Sequence, residues 1–265
     1  MVAAEKYKTT ILVAGIPVSV SLNDHRVYRL IQHHYRDFLS GSDSKLNIEF
    51  DIKEGSNVLD MSAHFEQRIV RFDQIGIRGF IDSDSGKGQF SIAVDRPFEA
   101  IDYCIRVGYA LLAYQAGGLM VHAAGIMRNQ RVYLFVGHSG IGKTTVSRLS
   151  QDGIVLNDDL VIVMKNENGW FVSGTPFWNP TQVRPTNISA GLAKILFLKQ
   201  DTQVYIEEVG RGSALAELVA SVPILSGSEY YGSGLLERCV LLLSEIPHHR
   251  LHFLPQPSFW QEVLE

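Results

Sequence analysis

Two rhythms of apolar residues divide this chain. From Tyr7 to Val94, apolar and polar positions mostly alternate in short runs, the period of strands that bury one face. Tyr7 to Ala14 and Pro17 to Leu22 read as strands joined at Gly15. In the helical stretch that follows, Val27, Leu30, Ile31, His34, Tyr35 and Phe38 recur three or four residues apart. Alternation returns after Gly41 over Lys45 to Ile52, Gln67 to Phe72, Ile75 to Ile81 and Gln89 to Val94. The polar stretch Asp82 to Gly88 separates two of these runs, and strands on both sides favour a hairpin loop over a flexible linker. This pattern predicts a small α+β domain over residues 1–95.

A longer, helix-period segment comes next. Asp95 and Pro97 open a helix whose apolar face is Phe98, Ile101, Cys104, Ile105, Gly108, Leu111 and Leu112, and Gly117-Gly118 ends it. A boundary near Asp95 would give this helix to a second domain, residues 96–265. Val121 to Met127 and Val132 to Val136 then read as strands, with Arg128 to Arg131 as the turn. Further on, Val161 to Met164 and Trp170 to Val172 are strands about a turn at Asn166 to Gly169. The C-terminal order is strand, strand, helix, helix, strand, helix: Lys194–Lys199, Gln203–Val209, Ala214–Val222, Leu235–Ile246, Arg250–Phe253 and Ser258–Leu264.

The apolar strand ending at Val136 runs into Gly137-His138-Ser139-Gly140-Ile141-Gly142-Lys143-Thr144-Thr145, which fits G-x-x-x-x-G-K-[ST]. The chemistry needs these residue types in this order. Glycines let backbone N–H groups turn inward on a polyphosphate, Lys143 sets a cation against the outer phosphates, and the Thr144 hydroxyl can hold Mg²⁺. A helix opening at Lys143 adds the positive end of its dipole. The motif predicts binding of a nucleoside triphosphate with Mg²⁺ and does not choose among triphosphates; ATP is the donor expected for a kinase.

Two further features are predicted to converge on those phosphates. If the strands around Arg128 to Arg131 form a tight hairpin, paired positions sum to 259, which sets His122 opposite Gly137 at the mouth of the loop. Ile154-Val-Leu-Asn-Asp158-Asp159 is an apolar strand capped by two acids, the form of a strand whose Asp holds the phosphate-bridging Mg²⁺. A second carboxylate beside that ligand is what a kinase needs to take a proton from a hydroxyl nucleophile. Arg184 is the nearest fixed cation and reads either as a group that neutralises charge on a transferring phosphoryl group or as a solvated surface arginine. Ser173 to Pro180, rich in turn formers and aromatics, is a loop of the kind that either closes over a substrate or packs against its own domain.

Composition narrows the partners. The 265 residues are 46% hydrophobic and 20% charged with a net charge of −4, which argues against a nucleic-acid surface. No apolar run reaches a membrane span, and the first residues lack a signal-peptide core, so a cytoplasmic location is expected. Cys104 and Cys239 are isolated thiols without metal spacing, and the adjacent pairs His33-His34 and His248-His249 diverge along their elements.

The order His122-Ala-Ala124, strand, GHSGIGKTT, short helix, LNDDLV resembles the C-terminal domain of the HPr kinase/phosphorylase family. It is similar above all to HPr-kinase-like proteins sharing a P-loop core with phosphoenolpyruvate carboxykinases; SGTPF and LAKILFLKQ extend the likeness over about residues 98–265. The resemblance implies an α/β fold: a P-loop core with a mixed sheet, behind a small α+β domain. It implies a serine kinase in which Lys143 binds the β- and γ-phosphates, Thr144 and Asp159 serve the Mg²⁺, and Asp158 is the base with His122 beside it. The Glu-Val/Ile-Arg-Gly-Leu-Gly signature of the bifunctional enzyme has no counterpart, which counts against phosphorylase activity and against HPr as partner. Related HPr-kinase-like proteins tailor ribosomally made peptides, including lasso-peptide precursors phosphorylated on serine, so the implied acceptor is a serine of a peptide or small protein. A homo-oligomer is compatible with the pattern. Two other readings stand beside this one: a nucleotide-binding regulatory module without transfer, and a kinase for free serine or a similar small alcohol.

Overall fold

The computed structural model describes residues 6–57, 62–178 and 182–264. They form a mixed α/β chain with two large mixed sheets, divided into compact units at residues 1–112 and 113–265.

In the first unit, β1 (Tyr7–Val13) and β2 (Ile16–Leu22) form a hairpin, followed by α1 (His25–His34) and the short β3 (Leu39–Ser40). Asp24 caps α1, its carboxylate accepting the Arg26 and Val27 N–H groups. Then come β4 (Leu46–Asn57), β5 (His64–Glu66), β6 (Ile69–Gln74), β7 (Ile77–Asp82), β8 (Lys87–Val94) and α2 (Pro97–Gln115). The sheet order is β3-β1-β2-β4-β8-β7-β6-β5. Leu46, Ile48 and Phe50 of β4 are buried while Asn47, Glu49 and Asp51 are exposed, so the alternation in sequence is the alternation of faces. Asp82–Gly88 closes the β7–β8 hairpin, as its turn chemistry predicts.

The boundary differs from the sequence expectation. Nearly all of α2 belongs to the first unit, because its apolar face is fitted to the first sheet. The Tyr109 hydroxyl donates to the Ile11 carbonyl at 2.7 Å, and a side chain at Gly108 would crowd Leu46 and Ile48. Helical periodicity announces a buried face without saying which sheet buries it.

The second unit contains β9 (Leu119–Arg128), β10 (Arg131–Val136), α3 (Lys143–Leu149), β11 (Ile154–Asn157), β12 (Leu160–Asn166), β13 (Gly169–Gly174), β14 (Ser189–Gln200), β15 (Tyr205–Glu208), α4 (Arg211–Ala220), α5 (Glu229–Glu245), β16 (His248–Phe253) and α6 (Phe259–Leu264). The strands run β10-β9-β12-β13-β14-β16-β15, and β10 also pairs with β14. That extra pairing closes β9, β12, β13, β14 and β10 into a ring. Gly125 sits where any Cβ would meet Val161, Leu156 and Val172. On another side Phe135, Leu196, Leu198, Leu251 and Phe253 pack with Val146 of α3 and with Phe259, Trp260 and Val263 of α6. This core fixes the helix that follows the glycine loop.

Candidate functional site

The glycine loop leaves β10 at Val136, beside two strands that run parallel to it in turn, β14 and β16. Its conformation depends on glycine. Gly140 and Gly142 have φ of 81° and 121°, and a Cβ on Gly142 would lie 2.6 Å from the Phe253 ring. Ile141 anchors the loop against the core, while His138, Ser139 and Gly140 are exposed. From outside, the Gln200 amide donates to the Ile141 carbonyl at 3.1 Å and more weakly to Gly140.

Lys143 opens α3 and is almost fully buried. Its ammonium donates to the carbonyls of Gly137 at 2.8 Å and His138 at 3.1 Å, so it crosses the loop from within. Burial lowers its pKa, and the charges of Asp159 and Asp158 oppose that shift. Thr144 and Thr145 follow, both half-buried.

Asp158 and Asp159 sit between β11 and β12, in different environments. Asp158 is 1% exposed. One of its carboxylate oxygens accepts from the Val183 N–H at 3.4 Å, and the Thr144 hydroxyl also bonds the carboxylate. Oδ1 is buried without a hydrogen-bond partner among the described residues. Burial raises the Asp158 pKa, and the Thr144 bond works against it. Asp159 is more open, and its Oδ1 lies 3.1 Å from Nε2 of His122.

His122 arrives by the predicted register. The β9–β10 ladder runs from Arg131 opposite Arg128 to Val136 opposite Ala123, every pair summing to 259. The next step along β9 is His122, which pairs across its other edge with Leu160, directly after Asp159. The His122 N–H donates to the Ser221 carbonyl at 2.6 Å, which fixes the strand at this point. The geometry thus brings together His122, Lys143, Thr144, Asp158 and Asp159. Arg184 is exposed on the segment after Gln182, one residue beyond Val183. Asn179 and Pro180, the end of the aromatic loop, lie outside the described residues.

Asn157 completes the site and was missed in the sequence. Fully buried, it donates to the carbonyls of Thr175 (2.8 Å) and Phe177 (3.0 Å) and accepts from the N–H groups of Asp159 (2.6 Å) and Leu160 (3.1 Å). It ties the acidic turn to the Thr175–Phe177 loop. The signal was available: an Asn two residues before the end of a turn accepts that turn's N–H.

Residues 101–264, more than half of the chain, match the model of the family described as SynChlorMet cassette protein ScmC. The chain belongs to the ScmC family. The match covers every residue of the site, from His122 to Arg184. Among curated proteins none matches this ScmC-family chain. No helix among its described residues is long and apolar enough to cross a membrane.

Proposed function

We propose that this ScmC-family chain is a kinase that transfers the γ-phosphoryl group of ATP to a hydroxyl, a serine in a peptide or small protein. One observation carries the reading: two adjacent acids at one loop have separate partners, Asp158 with Thr144 and Asp159 with His122. Nucleotide binding alone needs only the first pair. The likeness of the His, glycine-loop and Asp-Asp order to HPr-kinase-like proteins supports an HPr-kinase-like core, and their peptide substrates support the choice of acceptor.

The residues fit a magnesium ion. A buried carboxylate oxygen without a partner among the described residues, on the acid bonded to the Thr144 hydroxyl, offers a ligand to a cation that the phosphates would also hold. When bound, Mg²⁺ neutralises charge on the phosphate oxygens. The two acids therefore exchange the roles the sequence reading gave them: Asp158 serves the metal and Asp159 the acceptor.

In the proposed reaction the loop N–H groups and Lys143 hold the β- and γ-phosphates. The acceptor hydroxyl enters beside His122 and Asp159. Its oxygen bonds to the γ-phosphorus as the bond to the β,γ-bridging oxygen breaks; ADP leaves, and the hydroxyl proton passes to Asp159, oriented by His122. Arg184 is a secondary candidate for charge neutralisation.

The test is transfer of γ-labelled phosphate from ATP and Mg²⁺ into the peptides and proteins of a bacterial lysate, with Asp159→Asn as control. A labelled serine with wild type only supports the reading. ATP binding without transfer to peptide, protein or free serine would replace it with the non-catalytic nucleotide module.

A further inference from the structure

The transfer groups all lie on one side of the glycine loop. His122 is on β9, and Asp158 and Asp159 join the two strands that pair with β9. On the other side of β10 stand β14 and then β16, parallel to it and ending level with the loop, with β15 at the edge. A nucleotide whose γ-phosphate faces the acids can extend its nucleoside toward those strand ends, where ligands of parallel sheets collect.

That side presents a braced aromatic ring. Tyr205 stacks on His252 with centroids 4.0 Å apart and planes at 18°, yet keeps 37% of its surface exposed. His252 is fixed in turn: Nδ1 lies 2.7 Å from Asp201 and Nε2 2.9 Å from Glu207. The Tyr205 hydroxyl makes a long 3.4 Å bond to Asp201. The His252 hydrogen bond holds the Asp201 carboxyl down to about 2. Asp201 directly follows Gln200, whose amide grips the loop carbonyls, and Phe253, next to His252, lies under Gly142. The ring and the phosphate loop are thus joined by short, ordered links.

We propose that the ends of β14 and β16 form the nucleoside subsite, with the nucleobase stacked on Tyr205. The proposal rests on the triphosphate reading of the glycine loop and adds the polarity of the bound nucleotide. An immobilised, half-exposed ring offers a base a flat surface without an ordering cost. The Asp201 and Glu207 carboxylates already hold His252, so the platform rewards a flat ring and not one particular base edge.

The experiment is calorimetric titration of wild type, Tyr205→Phe, Tyr205→Leu and Tyr205→Ala with Mg²⁺-ATP, Mg²⁺-GTP and inorganic tripolyphosphate. Loss of one stacked base costs about tenfold or more in affinity. The Leu and Ala variants should lose that much for both nucleotides while keeping tripolyphosphate affinity, and Phe should match wild type. Unchanged nucleotide affinity in the Leu and Ala variants would overturn the subsite. Equal loss of tripolyphosphate in both would also overturn it, since the ring would then only support the fold. Wild type binding tripolyphosphate as tightly as ATP overturns the subsite alone; wild type binding neither removes the triphosphate reading as well.

Discussion

Two buried aspartates, one in each unit, show opposite uses of the same side chain. Asp102 on α2 has both oxygens engaged: Tyr35 donates at 2.5 Å and Arg106 at 2.7 Å. That carboxylate is spent inside the fold, and the Tyr35 phenol, desolvated beside it, is pushed well above its usual pKa. Asp158 is more deeply buried, yet one oxygen has no hydrogen-bond partner among the described residues, and burial raises its pKa. A carboxylate fully paired within the protein stabilises it, whereas one left half-paired stores a cost that a ligand can relieve. The second unit keeps such a cost beside its glycine loop, where the proposed cation would relieve it.

The sharpest way to break this comparison is through the partner acid. Asp159→Asn should lower the phosphoryl-transfer rate by about 10²–10⁴-fold while ATP affinity moves little, as read by single-turnover transfer beside equilibrium binding. In the first unit, Asp102→Ala should remove about 3 kcal/mol of stability, measured by urea unfolding, because it removes the buried carboxylate to which Tyr35 and Arg106 donate.

Asp158→Asn should do the reverse and stabilise the ligand-free protein at pH 7 by about 1–2 kcal/mol. The pH dependence follows from the raised pKa. The folded wild type holds the Asp158 proton to higher pH than the unfolded chain does. Its stability therefore falls as pH rises from the unfolded value, ~3.9, through the folded one. The gain from Asn should be complete above that window and absent below it, so thermal melts at pH 3.5 should bring the two proteins together. Smallest of all, Glu49→Gln breaks an ion pair with Lys6 between half-exposed side chains and should change stability by no more than about 0.5 kcal/mol. A larger effect there would mean that the open face of the first sheet carries more than solvated charge.

Legibility in the sequence followed the range of the interactions. The β1–β2 and β7–β8 hairpins, α2 and the six C-terminal elements could be read, because alternation, turn residues and helical spacing are local. The β9–β10 register was legible from one turn, and it carried His122 to its place. The parallel pairing of β10 with β14 was not, since nothing near Val132 indicates a partner sixty residues away. The short β3 and β5 are too brief to show a period, and α2's preference for the first sheet depends on surfaces that periodicity does not name. At the site, residue type announced Lys143 and the two acids. Which acid is bonded to Thr144 and which to His122 depends on how Asn157 shapes the turn, a matter of side-chain direction.

The most direct test of the account is the division of labour between those acids. Mg²⁺-ATP titrations and single-turnover transfer should be run on wild type, Asp158→Asn and Asp159→Asn. The account predicts that Asp158→Asn weakens Mg²⁺-dependent nucleotide binding, and that Asp159→Asn binds Mg²⁺-ATP like wild type yet fails to transfer. Equal loss of binding in both variants, or transfer surviving in Asp159→Asn, would contradict it.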